Sequence, residues 1–273
     1  MKRLINLRPN TSTGWLLSLL PFVAVIVLYL VMSDLRLTLN PNDKLLPGFN
    51  TLVDAVKRLA FTEDMRSGEY LFWLDTGASL RRLFIGVLIS ALTGLLIGIG
   101  NGLIPLFRAN LSGFIAVLSM IPPMAILPIL FIVFGLGELS KVMLIVLGTA
   151  PFIARDLQQR VQELPIEQLI KAQTLQANTW QIIVRVVLPQ MLPRLIDAVR
   201  LSLGAAWLFL IAAEAIASTE GLGYRIFLVR RYMSMDVILP YVAWITLLAF
   251  ITDLGLKRFS KLVFPWYQIG DDA

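Results

Sequence analysis

The chain alternates between long runs without a charge and shorter stretches that collect its charges. Residues 15–32, 83–107 and 111–137 are uncharged runs, the first of 18 residues. A helix rises about 1.5 Å per residue and a bilayer's hydrocarbon core is about 30 Å thick, so each run is a candidate transmembrane helix. Residues 142–154 supply only 13 apolar positions, enough for a span only if 139–141 lie in the interface or neighbouring helices shield the segment. Runs at 201–218 and 237–251 follow. The pattern predicts an all-α integral membrane protein with about six transmembrane helices.

Two runs carry internal punctuation. "SMIPPMAILP" sets Pro122, Pro123 and Pro128 inside the third, where each must break or kink a helix. Backbone groups freed at that depth need protein or water around them, so the segment either lines a cavity or is a kink packed against neighbours. In "GLLIGIGNG", Gly94, Gly98 and Gly102 fall four apart on one helical face, which permits close approach of another helix. These glycines have no preceding strand, and no G-x-x-x-x-G-K-[ST] occurs, so dinucleotide binding and a P-loop are excluded.

The stretch 33–82 holds seven basic and seven acidic residues and reads as a long extracytoplasmic loop. Within it "TLVDAVKRLAF" sets Leu52, Val56 and Leu59 on one face of a helix that lies on the membrane surface or caps the protein. The N-terminus has the basic start and apolar run of a signal peptide, but no small-x-small cleavage site follows, and we read a retained first helix. The expected organisation is an N-terminal helix and loop over 1–82, a membrane core over 83–267 and a short tail over 268–273.

Composition agrees: 57% of residues are hydrophobic and mean hydropathy is +0.76, far to the apolar side of soluble domains. The chain has no cysteine and no histidine, which excludes disulfides, structural zinc, thiolate nucleophiles and Ser-His-Asp triads. A net charge of +6 fits basic flanks facing lipid headgroups rather than nucleic acid. With a cytoplasmic N-terminus, Lys and Arg divide 13 inside against 11 outside, a weak bias that sets 155–200 in the cytoplasm.

That cytoplasmic stretch is organised. Pro165 stands where a first helical residue belongs, and Glu167 follows in the first turn, where a negative charge meets the helix dipole favourably. Leu169, Ala172 and Leu175 or Gln176 then fall on one face. Asn178 and Gln181 form a candidate capping box that opens a second helix, "TWQIIVRVVL", which Pro189 and Pro193 should close. Such an element is either inert at the interface or docks apolar knobs into a partner's groove.

From Lys171 to Pro189, "KAQTLQANTWQIIVRVVLP" resembles the cytoplasmic coupling loop of ABC importer permeases. Ala172, Thr174, Leu175, Ala177, Leu188 and Pro189 stand at positions of the family pattern, whereas Ile170, Lys171 and Gln176 depart from it. Gln176 replaces a glycine that permits a left-handed turn. "SLRRLFIGVLISALTGLLIGIGNG", "SMIPPMAILPILFIVFGLGELSK", "VRLSLGAAWLFLIAAEAIASTEGLGYRI" and the Asp253, Arg258, Trp266 series extend the likeness to the nitrate, sulfonate, taurine and bicarbonate branch. Within that branch, "FWLDTGASL" and "LIKAQTL" are most similar to permeases of urea or guanidine carboxylase systems.

The resemblance implies a type I ABC importer permease in a bacterial inner membrane. It further implies a second permease copy, two cytoplasmic ATPase subunits that bind ATP and Mg, an extracytoplasmic solute-binding protein, and no catalysis or metal in this chain. The coupling loop spans 165–190, with Ala172, Thr174, Leu175, Gln176, Ala177, Leu188 and Pro189 as coupling residues. Glu214 is a carboxylate deep in an apolar run and hence either a path residue or a buried hydrogen-bonding group. Ser119, Met120, Pro122, Pro123 and Trp207 are further path candidates, by position beside the Pro break or Glu214. The alternative is an ion-coupled secondary transporter, which would use the broken helix and the carboxylate but need no coupling loop.

Overall fold

The computed structural model describes residues 10–41, 43–65 and 68–267, so the expected tail over 268–273 lies outside the described residues. Among the described residues every regular element is helical. They form two compact units, one within Met1–Tyr70 and Val229–Tyr241, the other within Leu71–Leu228 and Val242–Ala273.

In the first unit, α1 (Thr11–Leu39) runs one turn and more beyond the uncharged stretch and takes in Asp34 and Arg36. The turn after it folds back: Ser33 and Tyr29 donate from their hydroxyls to the Pro47 carbonyl, and Arg36 pairs with Asp43 at 2.6 Å. Helix α2 (Phe49–Phe61) buries Ala55 and Ala60 and half-buries Leu52, Val56 and Leu59, the face its periodicity predicts.

The second unit is built on α3 (Leu71–Leu103), α6 (Glu138–Gln162) and α9 (Leu188–Ala217). Helix α3 begins at Leu71, not at residue 83, which corrects the expected long loop over 33–82. Asp75, Ser79 and Arg82, at i, i+4 and i+7 on one face of its first turns, are all buried and face protein, whereas Arg81 beside them is exposed. It ends where Ile104 is held extended ahead of Pro105, and the Arg108 guanidinium donates to the freed carbonyls of Asn101 and Gly102.

Along α3, Gly86, Gly94, Gly98 and Gly102 meet α6 so closely that a Cβ at Gly94, Gly98 or Gly102 would sit 2.6, 2.6 or 2.4 Å from Ile153, Leu157 or Val161. Absent side chains let the backbones approach, as the spacing predicts. Between them Thr149 donates to the Ser90 hydroxyl at 2.8 Å.

The Pro-rich run forms α4 (Pro105–Leu118) and α5 (Pro123–Phe134), bent by 97° across residues 119–122. Among the described residues, four helices are long and apolar enough to cross a membrane, and a fifth span results if the bent pair counts as one. Helix α6 contains the fourth expected span, residues 142–154. Its 25 residues suffice in length, about 37 Å, but it is too polar to pass on composition. Leu144, Ile145, Ile153 and Leu157 are fully buried. This is the shielding that a 13-residue apolar run requires.

Candidate functional site: the coupling element, a buried charge network and a cavity at the helix bend

Helix α7 (Ile166–Thr174) starts after Pro165, which serves as its N-cap, and closes in a complete two-bond stop. The Ala177 amide donates to the Ala172 carbonyl at 3.0 Å and the Gln176 amide to that of Gln173 at 2.9 Å. This pairing demands a left-handed residue between them, and Gln176 takes it with φ 60°. A non-glycine side chain there costs about 1–2 kcal/mol. The motif's geometry is thus built without the glycine that favours it.

Four residues on, Asn178 and Gln181 make the capping box reciprocally, at 2.8 and 2.9 Å, and open α8 (Thr179–Ile182). The predicted closure at Pro189 and Pro193 does not occur. The chain widens into one π turn (Ile183–Val187) and continues without a break as α9. A proline ring clashes with the carbonyl four residues earlier and contributes no N–H, and the wider turn just before Pro189 accommodates both defects.

The coupling element has two faces. Leu169, Ala172, Ala177 and Leu188 pack against a buried cluster of Leu95, Ile99, Ile153, Leu157, Val187 and Met191 contributed by α3, α6, the π turn and α9. Outward, Ile166, Ile170, Leu175 and Trp180 expose their side chains, Leu175 at 78% and Trp180 at 70%. Gln190 donates to Gln168 at 3.1 Å and Arg194 to the Arg160 carbonyl at 3.0 Å, tying the element to its helices. Apolar tips on a short, capped and anchored helix are suited to docking in a partner's groove.

At the opposite end of the same helices lies a buried charge network. Arg82, 1% exposed, donates to Glu214 at 2.7 Å, to Glu138, to the Glu220 carboxylate and to the Glu220 backbone carbonyl. Glu214, fully buried, also accepts from Ser79 at 2.8 Å and from the Gly223 amide at 2.9 Å. Asp75 accepts from the Gly221 amide at 2.9 Å and from Arg225 at 2.8 Å. Gly221 has φ +122°, and a Cβ on it would meet the Glu214 carboxylate at 2.5 Å, so the tight turn depends on glycine.

A cavity of about 410 Å³ opens at the α4–α5 bend, lined by Ser119, Ile121, Pro123, Phe152, Arg155 and Phe209 among others. The Arg155 guanidinium donates to the Ser119 hydroxyl at 2.7 Å.

Residues 90–265 match the family described as binding-protein-dependent transport system inner membrane component. The chain belongs to that family. It is 35% identical to the taurine transport system permease protein TauC of Escherichia coli (strain K12) over 71% of each chain. To the putative aliphatic sulfonates transport permease protein SsuC of Bacillus subtilis (strain 168) it is 28% identical over 93% of this chain and 88% of that one. The fold matches the permease chain in inward-facing conformations of the MetNI methionine ABC transporter, with TM-score 0.63 at 21% identity, over 73% of this chain and 99% of that one. The protein is therefore a membrane-embedded permease subunit of an ABC transporter with the type I importer fold, and ATP hydrolysis belongs to a separate chain.

Within the permease, Ala172 and Thr174 lie in α7, Leu175, Gln176 and Ala177 in the turn that closes it, and Leu188 and Pro189 at the start of α9. Thr174, Leu175, Gln176 and Pro189 are exposed, the Thr174 hydroxyl returning to the Lys171 carbonyl, whereas Ala172, Ala177 and Leu188 are half-buried. Of the path candidates, Ser119 and Pro123 line the bend cavity, Pro122 caps α5 and Met120 is 73% exposed at the same bend. Trp207 is buried inside α9, and Glu214 lies in the charge network two turns beyond it. The cavity does not join these two groups. Sequence reasoning missed Arg82, Asp75, Ser79 and Arg155. The first three were legible as an i, i+4, i+7 face continuing the glycine face of the same helix.

Proposed function

We propose that this permease works as two copies bound to two ABC ATPase subunits and an extracytoplasmic solute-binding protein in a bacterial inner membrane, with its N-terminus in the cytoplasm. The observation that carries this reading is the coupling element: Leu175 projects from the end of α7 and Trp180 from α8, and the element's other face packs on the α3–α6–α9 core. ATP binding closes the ATPases, the element moves with them, and the anchored core turns that displacement into alternating access. The bias comes from the higher affinity of ATP for the closed ATPase state.

The proposed cargo is a small hydrophilic solute of the sulfonate, taurine or bicarbonate class, with guanidine or urea as the competing class. The relatives TauC and SsuC support the anionic side by their names. The pairing of Glu214 with Arg82 speaks against an ion-coupled mechanism built on that carboxylate, since its charge is already matched.

The test is ATP hydrolysis by the purified complex in nanodiscs with its binding protein, across taurine, nitrate, bicarbonate, urea and guanidine. One compound stimulates hydrolysis, and Leu175→Glu, which leaves the buried face intact, lowers that stimulation about tenfold or more. A complex without ATP-dependent uptake, or a Leu175→Glu variant coupled as well as the original, overturns the reading.

A further inference from the structure

Among the described residues, several basic groups of the core helices pair with carboxylates, and others, such as Arg108 and Arg194, donate to backbone carbonyls instead. Arg82 lies against Glu138, Glu214 and Glu220, Lys141 against Glu138 at 2.8 Å, Arg160 against Asp156 at 2.8 Å, and Arg200 against Asp253 at 2.8 Å. Arg155 forms no ion pair with any described carboxylate. Its neighbour Asp156, also at the cavity wall, is already matched by Arg160. A guanidinium without a carboxylate partner persists where it meets water, a cavity or a negatively charged visitor.

Arg155 stands seven residues before the end of α6, about 10 Å from where that helix hands over to the coupling element. It is exposed and lines the bend cavity, as do Phe152 and Phe209. Of its five N–H donors, one is committed to Ser119. That bond holds the planar fork at the bend and leaves donors for two oxygens of a sulfonate or carboxylate group. Phe152 and Phe209 on the cavity wall are apolar and strengthen such a contact over its value in water, whereas Asp156 and Gln159 add polar surface to the same wall.

We propose that Arg155 is a selectivity residue of the transport route, a transit site for the oxyanion group of the solute, with Ser119 orienting its guanidinium. The assignment rests on the importer reading and commits its cargo to the anionic class. The same fork could take a lipid phosphate instead, and the experiment separates the two sources.

Because the natural chain has no cysteine, Arg155→Cys carries the only thiol of the permease. The complete complex, with its ATPase and binding protein, is reconstituted in liposomes, and ATP-driven uptake of taurine, methanesulfonate, bicarbonate and guanidinium is measured. Arg155→Cys lowers anion uptake about tenfold, the loss of one charge-assisted contact. Treatment with 2-aminoethyl methanethiosulfonate, which restores a positive charge, recovers most of the uptake, whereas the 2-sulfonatoethyl reagent does not. Excess taurine slows the labelling, and Arg155→Lys retains more uptake than Arg155→Gln.

Three results overturn the proposal while leaving the importer reading intact: anion uptake indifferent to Arg155→Cys, equal effects of the two reagents, or ATP-driven uptake of guanidinium alone. Labelling slowed by anionic lipid but not by taurine assigns the guanidinium to lipid and also overturns it. A Ser119→Ala loss as large as that of Arg155→Gln makes Arg155 a support for the bend instead. Absence of ATP-driven uptake of every compound overturns the importer reading itself, and this site with it.

Discussion

Gln176 does with an ordinary side chain what a glycine does at lower conformational cost. Its φ of 60° lets the Ala177 and Gln176 amides close the end of α7. Gln176→Gly should therefore tighten the element by about 1 kcal/mol, read as slower hydrogen exchange at the Ala177 amide. Asp43 behaves in the opposite sense to a strained residue. The Leu45 amide at 2.9 Å, with Arg36 beside it, holds its carboxyl below the usual range even against desolvation. A depressed carboxylate contributes above its unfolded pKa and is lost as pH falls through its folded one. Acidification below the ordinary carboxylate range should then lower the protection of the Leu45 amide, its exchange measured against an unprotected amide at the same pH, whereas Asp43→Asn should abolish that change in protection. Residue chemistry was legible in part. The Asn178 and Gln181 capping box and the departure at Gln176 could be read directly, because both depend on neighbours a few positions away. The pairing of Arg82 with Glu214 joins residues 132 positions apart and has no local signature.

Elements with a single period were read correctly, and those that mix two requirements were not. The four-residue glycine face of α3 predicted a close helix contact, and the Cβ distances agree. Gly98→Leu should push α3 from α6 and lower stability by about 1–3 kcal/mol or more, measured as an earlier thermal unfolding midpoint in nanodiscs. The start of α3 was set twelve residues late because charges were taken to end a span. They do so only on a lipid-facing surface, and Asp75, Ser79 and Arg82 face protein. Pro189 and Pro193 were expected to end a helix that instead passes through them, since the π turn at 183–187 absorbs what a regular turn cannot. Ala177, matched to the family pattern beside Leu175, turns inward onto the core. A charge there disturbs folding as well as docking, which makes Leu175 the cleaner probe of coupling.

Across the whole second unit, the two ends of α6 carry different kinds of interaction. One end is fastened by charge and the other by apolar packing of the coupling element. Arg82→Met strands Glu214 in a fully buried position and should cost about 3–5 kcal/mol, seen in the unfolding midpoint. The double variant Arg82→Met with Glu214→Leu should recover much of that loss, because the uncompensated charge goes with its partner. Fold class and family could be read from the chain because hydrophobic runs and an ordered motif series survive in one dimension. The bend cavity could not, since it is bounded by α4, α5, α6 and α9 at once.

The meshing of α3 with α6 also limits how the permease can move. Gly94, Gly98 and Gly102 receive Ile153, Leu157 and Val161 in notches one helical turn apart, and Gly86 receives Ile145 two turns before Gly94, with the Ser90–Thr149 contact between. Teeth at that pitch cannot slip by a fraction. The next stable register lies about 5.4 Å away, across a barrier of overlapping side chains. The pair therefore travels as one stiff bar, and the compliance of a transport cycle is left to the joints that flank it, at Ile104 and at the sharp bend over residues 119–122.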